Sequence, residues 1–230
     1  MTRISQFDDV NAVLKKAESS LIVIEDGYKK SLRETKIGAD LLVEIKDYLG
    51  NLRSALDYLR KKISNHNFPI CDQEADFEKR STDLPALVKN SIKKWQPFND
   101  QKWMEWFNKL NNELKHVTPI PQKRTESVET RVSHPQGGGV SWTSGVTFHG
   151  NVSVMGVPIN PRTQLPVPNN ILKTEKITWV SFCFDNHNVP GLPSNLVVLP
   201  FLKECFEKII KVVSDVEASI IAHQNQSGGA

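Results

Sequence analysis

A chain of 230 residues, 39% hydrophobic and 24% charged, is long enough for a real core and has the composition of a soluble globular protein. The net charge of +3 permits a nucleic-acid partner without demanding one. Cys71, Cys183 and Cys205 are odd in number and far apart, with no CxxC, which argues against a zinc site and against a disulfide framework and suits a reducing cytoplasm. The opening MTRISQFDDVNAVLKK contains acidic residues and lacks an apolar run of signal-peptide length. The longest apolar runs, near residues 21–24 and 196–199, fall far short of the roughly 20 residues a membrane span requires.

In chain order, Ile4, Phe7, Val10, Leu14, Ala17, Leu21, Ile24, Tyr28 and Leu32 step by three or four and predict a helix over 4–34. Gly27 lies inside it and is expected to loosen it, by about 1 kcal/mol relative to alanine. Residues 35–38 are the expected reversal, with Gly38 as a helix-ending residue. A second helix follows over 37–63, with Ile37, Leu41, Ile45, Leu49, Leu52, Leu56, Leu59 and Ile63 on one stripe. The two predict a long antiparallel hairpin, whose stripes must be hidden against each other and against further helices. Pro69 makes 65–70 a loop. Short helices are expected over 76–80 and 86–95, broken at 96–100, and a longer one over 101–115 carries Trp103, Phe107, Leu110 and Leu114 on one side. Pro119 and Pro121 end it.

Beyond residue 121 the period changes to two. Val140 and Trp142, Val146 and Phe148, and Val152 and Val154 alternate, as do Thr178, Val180, Phe182 and Phe184. Gly137–Gly139 reads as a tip between strands, and the proline-rich 158–168 as a loop. Residues 123–199 are thus expected to form an antiparallel sheet of four to six strands. Leu202, Phe206, Ile209, Val213, Val216 and Ile220 then predict a last helix over 201–223 that packs back on the hairpin. The fold class is α+β: a helical region over 1–122, a β region over 123–200, a helix over 201–223 rejoining the helical body, and a disordered tail over 224–230.

Arg53, Asp57 and Arg60 lie beside the apolar stripe of the second helix at helical spacing, so their side chains meet. Arg53, Asp57 and Tyr58, with Asn112, Lys115 and His116 near the end of the tryptophan helix, form the leading candidate constellation. Arginine holds phosphate bidentately, histidine moves protons near neutral pH, and a carboxylate orients either one. These are the parts of a metal-independent RNA-cleavage site. The same residues also read as a structural Arg53–Asp57 pair with His116 capping a helix C-terminus. His134, His149, His187 and His223 show no metal-ligand spacing, and no cofactor motif is present, so neither a metal nor a cofactor is expected.

Residues 51–58 (NLRSALDY), then Phe68-Pro69-Ile70, Gln96-Pro97-Phe98, and Leu110-Asn111-Asn112 with Lys115-His116, resemble a widespread bacterial family. Its motifs run N-L-R-S-A-L-D followed by His or Tyr, then F-P-I, Q-P with an aromatic residue, and a helix ending D-K-H-R. The resemblance covers about residues 38–120 and implies that the motif residues converge in space. Leu114 and Val117 depart from it, standing where the family has aspartate and arginine. A looser similarity is to the HEPN superfamily, helical RNases that act in toxin–antitoxin or antiphage systems and commonly dimerise. Its arginine, four to six residues and histidine match Arg60 and His66, with Lys61 where the superfamily has a polar residue. That likeness implies a bacterial cytoplasmic protein that cleaves or binds RNA, with Arg53 or Arg60 on the phosphate and His116 or His66 as acid–base. The rival reading is a non-enzymatic interaction or scaffold protein whose Arg–Asp–His cluster is a buried network fixing helix packing. Lys29, Lys30, Arg33 and Lys36 with Arg60, Lys61 and Lys62 form a candidate basic flank, and Trp95, Trp103 and Trp106 are expected in the core.

Overall fold

The computed structural model describes residues 6–34, 37–116, 120–143, 145–185 and 189–227, except the side chains of 33, 34, 114–116 and 227. The fold is α+β. The chain divides into two compact units, one of Met1–Lys123 with Phe182–Ala230, the other of Arg124–Ser181.

The first unit is helical. Helix α1 (Asp8–Glu34) and α2 (Ala39–Lys61) form the antiparallel hairpin that the two apolar stripes predict. Val10, Ala17 and Ile24 of α1 face Ile45, Leu49, Leu52, Leu56 and Leu59 of α2 in one buried cluster. Each fully buried leucine there contributes about 2 kcal/mol relative to exposure. The far end of the hairpin is closed by Lys62 Nζ and Asp9 Oδ2 at 2.7 Å. Gly27 does not interrupt α1. A Cβ at that position would stand 2.9 Å from Leu41 Cδ1, so the glycine is where α2 approaches closely.

Short helices α3 (Glu74–Arg80) and α4 (Ala86–Lys93) follow, then a 3-10 turn at Pro97–Asn99 and α5 (Lys102–His116). Helix α6 (Val198–Ser227) starts earlier and ends later than the apolar stripe predicts, with Pro200 in its first turn, where a missing N–H is harmless. The helix therefore occupies residues 224–227, which composition assigned to the tail. The buried Tyr48 hydroxyl donates to Leu202 O at 2.8 Å and fixes α6 to α2. Lys203–Glu25 and Gln224–Gln6 contacts run α6 antiparallel to α1. Trp95 Nε1 donates to Asp215 Oδ2 at 3.0 Å, tying the end of α4 to α6.

In the second unit, β1 (Gln122–Ser133) pairs antiparallel with β2 (Gly139–Thr143), in register from Glu129 opposite Thr143 to Ser133 opposite Gly139. Strand β6 (Lys173–Phe184) lies on the other side of β1. A separate small sheet has the order β3 (Ser153–Val154), β4 (Val157–Asn160), β5 (Leu165–Pro166). The expected single sheet is thus two, and the proline-rich segment, expected as a loop, supplies two of the strands. Pro158 is tolerated because only its carbonyl is used, accepting from Val167 N at 2.9 Å. Met155 and Gly156 both take positive φ (51° and 80°), the geometry of a tight two-residue hairpin turn. Residues 146–149 alternate in sequence but form no strand. The Phe148 N–H goes instead to the Gln164 side chain at 2.6 Å, and Gln164 Nε2 donates back to Phe148 O.

Candidate functional site

Helix α2 carries Arg53 and Asp57 one turn apart, and the loop after it returns Phe68 to them. Arg53 Nε donates to Asp57 Oδ2 at 3.2 Å, while Arg53 Nη2 lies 3.0 Å from Asp57 Oδ1. The same Nη2 donates to Phe68 O at 2.7 Å, and the Phe68 N–H donates to Asp57 Oδ1 at 2.9 Å. The ion pair therefore grips both backbone polar groups of one buried loop residue. Its side chains are 12% and 18% exposed, so little of it faces water. Arg53 Nη1 is buried without a hydrogen-bond partner.

Gln96, after α4, holds the same loop from its other end. Its Nε2 donates to Pro69 O and its Oε1 accepts from Cys71 N, each at 2.9 Å. The first three sequence motifs thus meet on the backbone of residues 68–71. Proline has no N–H to offer a neighbouring strand or helix, and a buried loop must find side-chain partners for its remaining polar groups. Arg53, Asp57 and Gln96 supply them. Gln96 opens the Gln96-Pro97-Phe98 motif, but its residue type alone does not reveal a clamp.

A second cluster lies one turn further along α2. Arg60 is fully buried, and its Nη2 meets Asp83 Oδ1 at 2.5 Å. Burial would raise the Asp83 carboxyl, but the hydrogen bonds it accepts and the Arg60 charge outweigh this and hold it below the ordinary value. The other Asp83 oxygen is 3.9 Å from Nε2 of His66, whose side chain is 70% exposed. His66, Asn67, Lys79, Arg80, Thr82 and Asp83 line an open cleft of about 500 Å3. Asp83 sits in the turn 81–84 with no sequence signal beyond the turn itself.

Asn112 is exposed on α5, and neighbouring Asn111 is buried. Lys115 and His116 belong to the last turn of α5, but their side chains lie outside the described residues, as do Arg33 and Lys36 of the basic flank in whole or in part. Within that flank Lys29 pairs with Asp26 at 2.8 Å, Lys62 with Asp9, and Lys61 stands over the Tyr58 ring at 5.9 Å. Trp103 is buried and Trp106 packs on Phe201, with ring centroids 6.2 Å apart. Among the described residues no group of histidine, cysteine, aspartate and glutamate could hold a metal ion, and no helix is long and apolar enough to cross a membrane.

Compared with known proteins, the chain matches no family model, no curated protein and no solved structure.

Proposed function

We propose that this chain is a non-enzymatic interaction protein of the bacterial cytoplasm, in which the Arg53–Asp57 pair is architecture. One observation carries the reading: both residues direct their hydrogen bonds to the backbone of Phe68. A catalytic carboxylate or phosphate-binding guanidinium must present those groups to a substrate. Here they hold the loop that follows α2. Replacing Asp57 by alanine should lower the unfolding free energy by about 1–3 kcal/mol, the cost of orphaning a buried amide and a guanidinium. An unchanged urea midpoint would overturn the reading.

A second reading, metal-independent cleavage or binding of RNA in the manner of the HEPN superfamily, draws support from the Arg60–Asp83–His66 chain. His66 would move the proton while Lys79 and Arg80 engage phosphates, and Arg60 would first have to leave Asp83. A homodimer belongs to this reading. Single-stranded RNA incubated with the full chain in chelator should then be cut, and His66→Ala with His116→Ala should abolish cutting. Intact RNA with the native chain sinks it.

A further inference from the structure

A groove of about 410 Å3 opens where α1, α2 and α5 meet, lined by Lys16, Lys46, Asp47, Gly50, Ser54 and Asn111 among others. We propose that it binds a small hydroxyl-bearing phosphomonoester, with the phosphate held by Lys16, Lys46 and the Asn111 amide.

The Asn111 side chain carries the argument. The residue is 2% exposed, yet its Nδ2 has no hydrogen-bond partner. Buried amide donors in folded proteins are almost always paired, so an orphan on a groove wall points to a ligand acceptor. Gly50 is a second, independent sign. It stands inside α2, where glycine weakens a helix relative to alanine, and a Cβ there would meet nothing within 4 Å. Packing does not require this glycine; it leaves the helix backbone bare beneath the groove. The Ser54 hydroxyl donates to Gly50 O at 2.9 Å, so toward the groove it can still accept.

The charges select the ligand. Lys16 is exposed, Lys46 half-buried, and neither is in an ion pair with any described carboxylate. Two ammonium groups against the one carboxylate of Asp47 leave the groove net positive, the sign that the roughly −1.5 to −2 charge of a phosphomonoester at neutral pH requires. Donors from three helices suit a head with three oxygens better than a planar carboxylate with two. Asp47 and Ser54 then offer acceptors for hydroxyls. The volume falls in the range of small-molecule sites, well beyond a bare phosphate.

The test uses the full chain, 15N-labelled, titrated with ribose 5-phosphate, and with ribose as the control. Ribose 5-phosphate should shift the Asn111 side-chain amide and Gly50 backbone resonances saturably, and ribose should not. Lys16→Ala with Lys46→Ala should weaken binding by at least about ten-fold, as loss of charge-assisted hydrogen bonds requires. No saturable shift by about 10 mM ribose 5-phosphate, far weaker than the millimolar end of specific affinity, overturns the site. So does undiminished affinity in the double lysine variant, or an equal response to ribose. None of these residues belongs to the loop clamp, so the outcome is independent of the role assigned to Asp57.

Discussion

Asp57 Oδ1 accepts the backbone N–H of Phe68 at 2.9 Å while facing Arg53 Nη2 at 3.0 Å, and that same Nη2 donates to the Phe68 carbonyl. One ion pair thus closes a ring with a single peptide position 11 residues downstream of the carboxylate. Charge-assisted bonds of this kind are roughly twice as strong as neutral ones, which is why a pair at i, i+4 outweighs the surface pairs elsewhere on the helices.

Arg53→Lys should therefore not substitute for arginine. Lysine is a point charge without the planar fork and cannot serve Asp57 and Phe68 O in the same geometry. A loss of about 1–2 kcal/mol is expected in urea unfolding, close to that of Arg53→Met.

Gln96→Leu removes the partners of Pro69 O and Cys71 N together. With two buried backbone groups orphaned, stability should fall by about 2–4 kcal/mol. Gln96 and Asp57 grip one loop, so the double variant with Asp57→Ala should lose less than the sum, a departure that a double-mutant cycle measures.

Asp83→Ala strands a fully buried guanidinium and should destabilise by about 3–5 kcal/mol. Arg60→Met should be milder, because Asp83, 32% exposed, can be hydrated once freed. Equal losses in the two variants would contradict the asymmetry of burial.

The same carboxyl sets a pH dependence. Burial pushes Asp83 up, but the hydrogen bonds and the Arg60 charge carry it below its ordinary 3.8. A folded value below the unfolded one means the contribution is whole above pH 3.8 and is lost as pH falls through the folded value. Acid unfolding of Asp83→Asn should therefore be flatter than that of the native chain below pH 3.8, as read by tryptophan fluorescence.

In the β region, Gln164→Ala should free the Phe148 amide from its side-chain acceptor. Hydrogen exchange at Phe148 should accelerate by roughly ten-fold or more, the equivalent of losing one net hydrogen bond.

Apolar residues at three- and four-residue steps were enough to specify α1, α2, α5 and α6, since a helix of that length survives only by burying such a stripe. The turn from period 3.6 to period 2 after residue 121 likewise made α+β legible, and i, i+4 spacing made the Arg53–Asp57 pair legible. What lies across the helix surface was not. That Asp57 meets Phe68, that Gln96 meets Pro69 and Cys71, and that Arg60 finds Asp83 are relations between segments 11–27 residues apart. No local period encodes them, because side-chain hydrogen bonds to loop backbone depend on where the loop returns. The role of Gly27 and the strands around Pro158 were decided in the same way, by a neighbour's approach and by a turn at Met155–Gly156. Secondary structure here follows from what each segment must hide; the fate of each polar group follows from what the tertiary structure brings beside it.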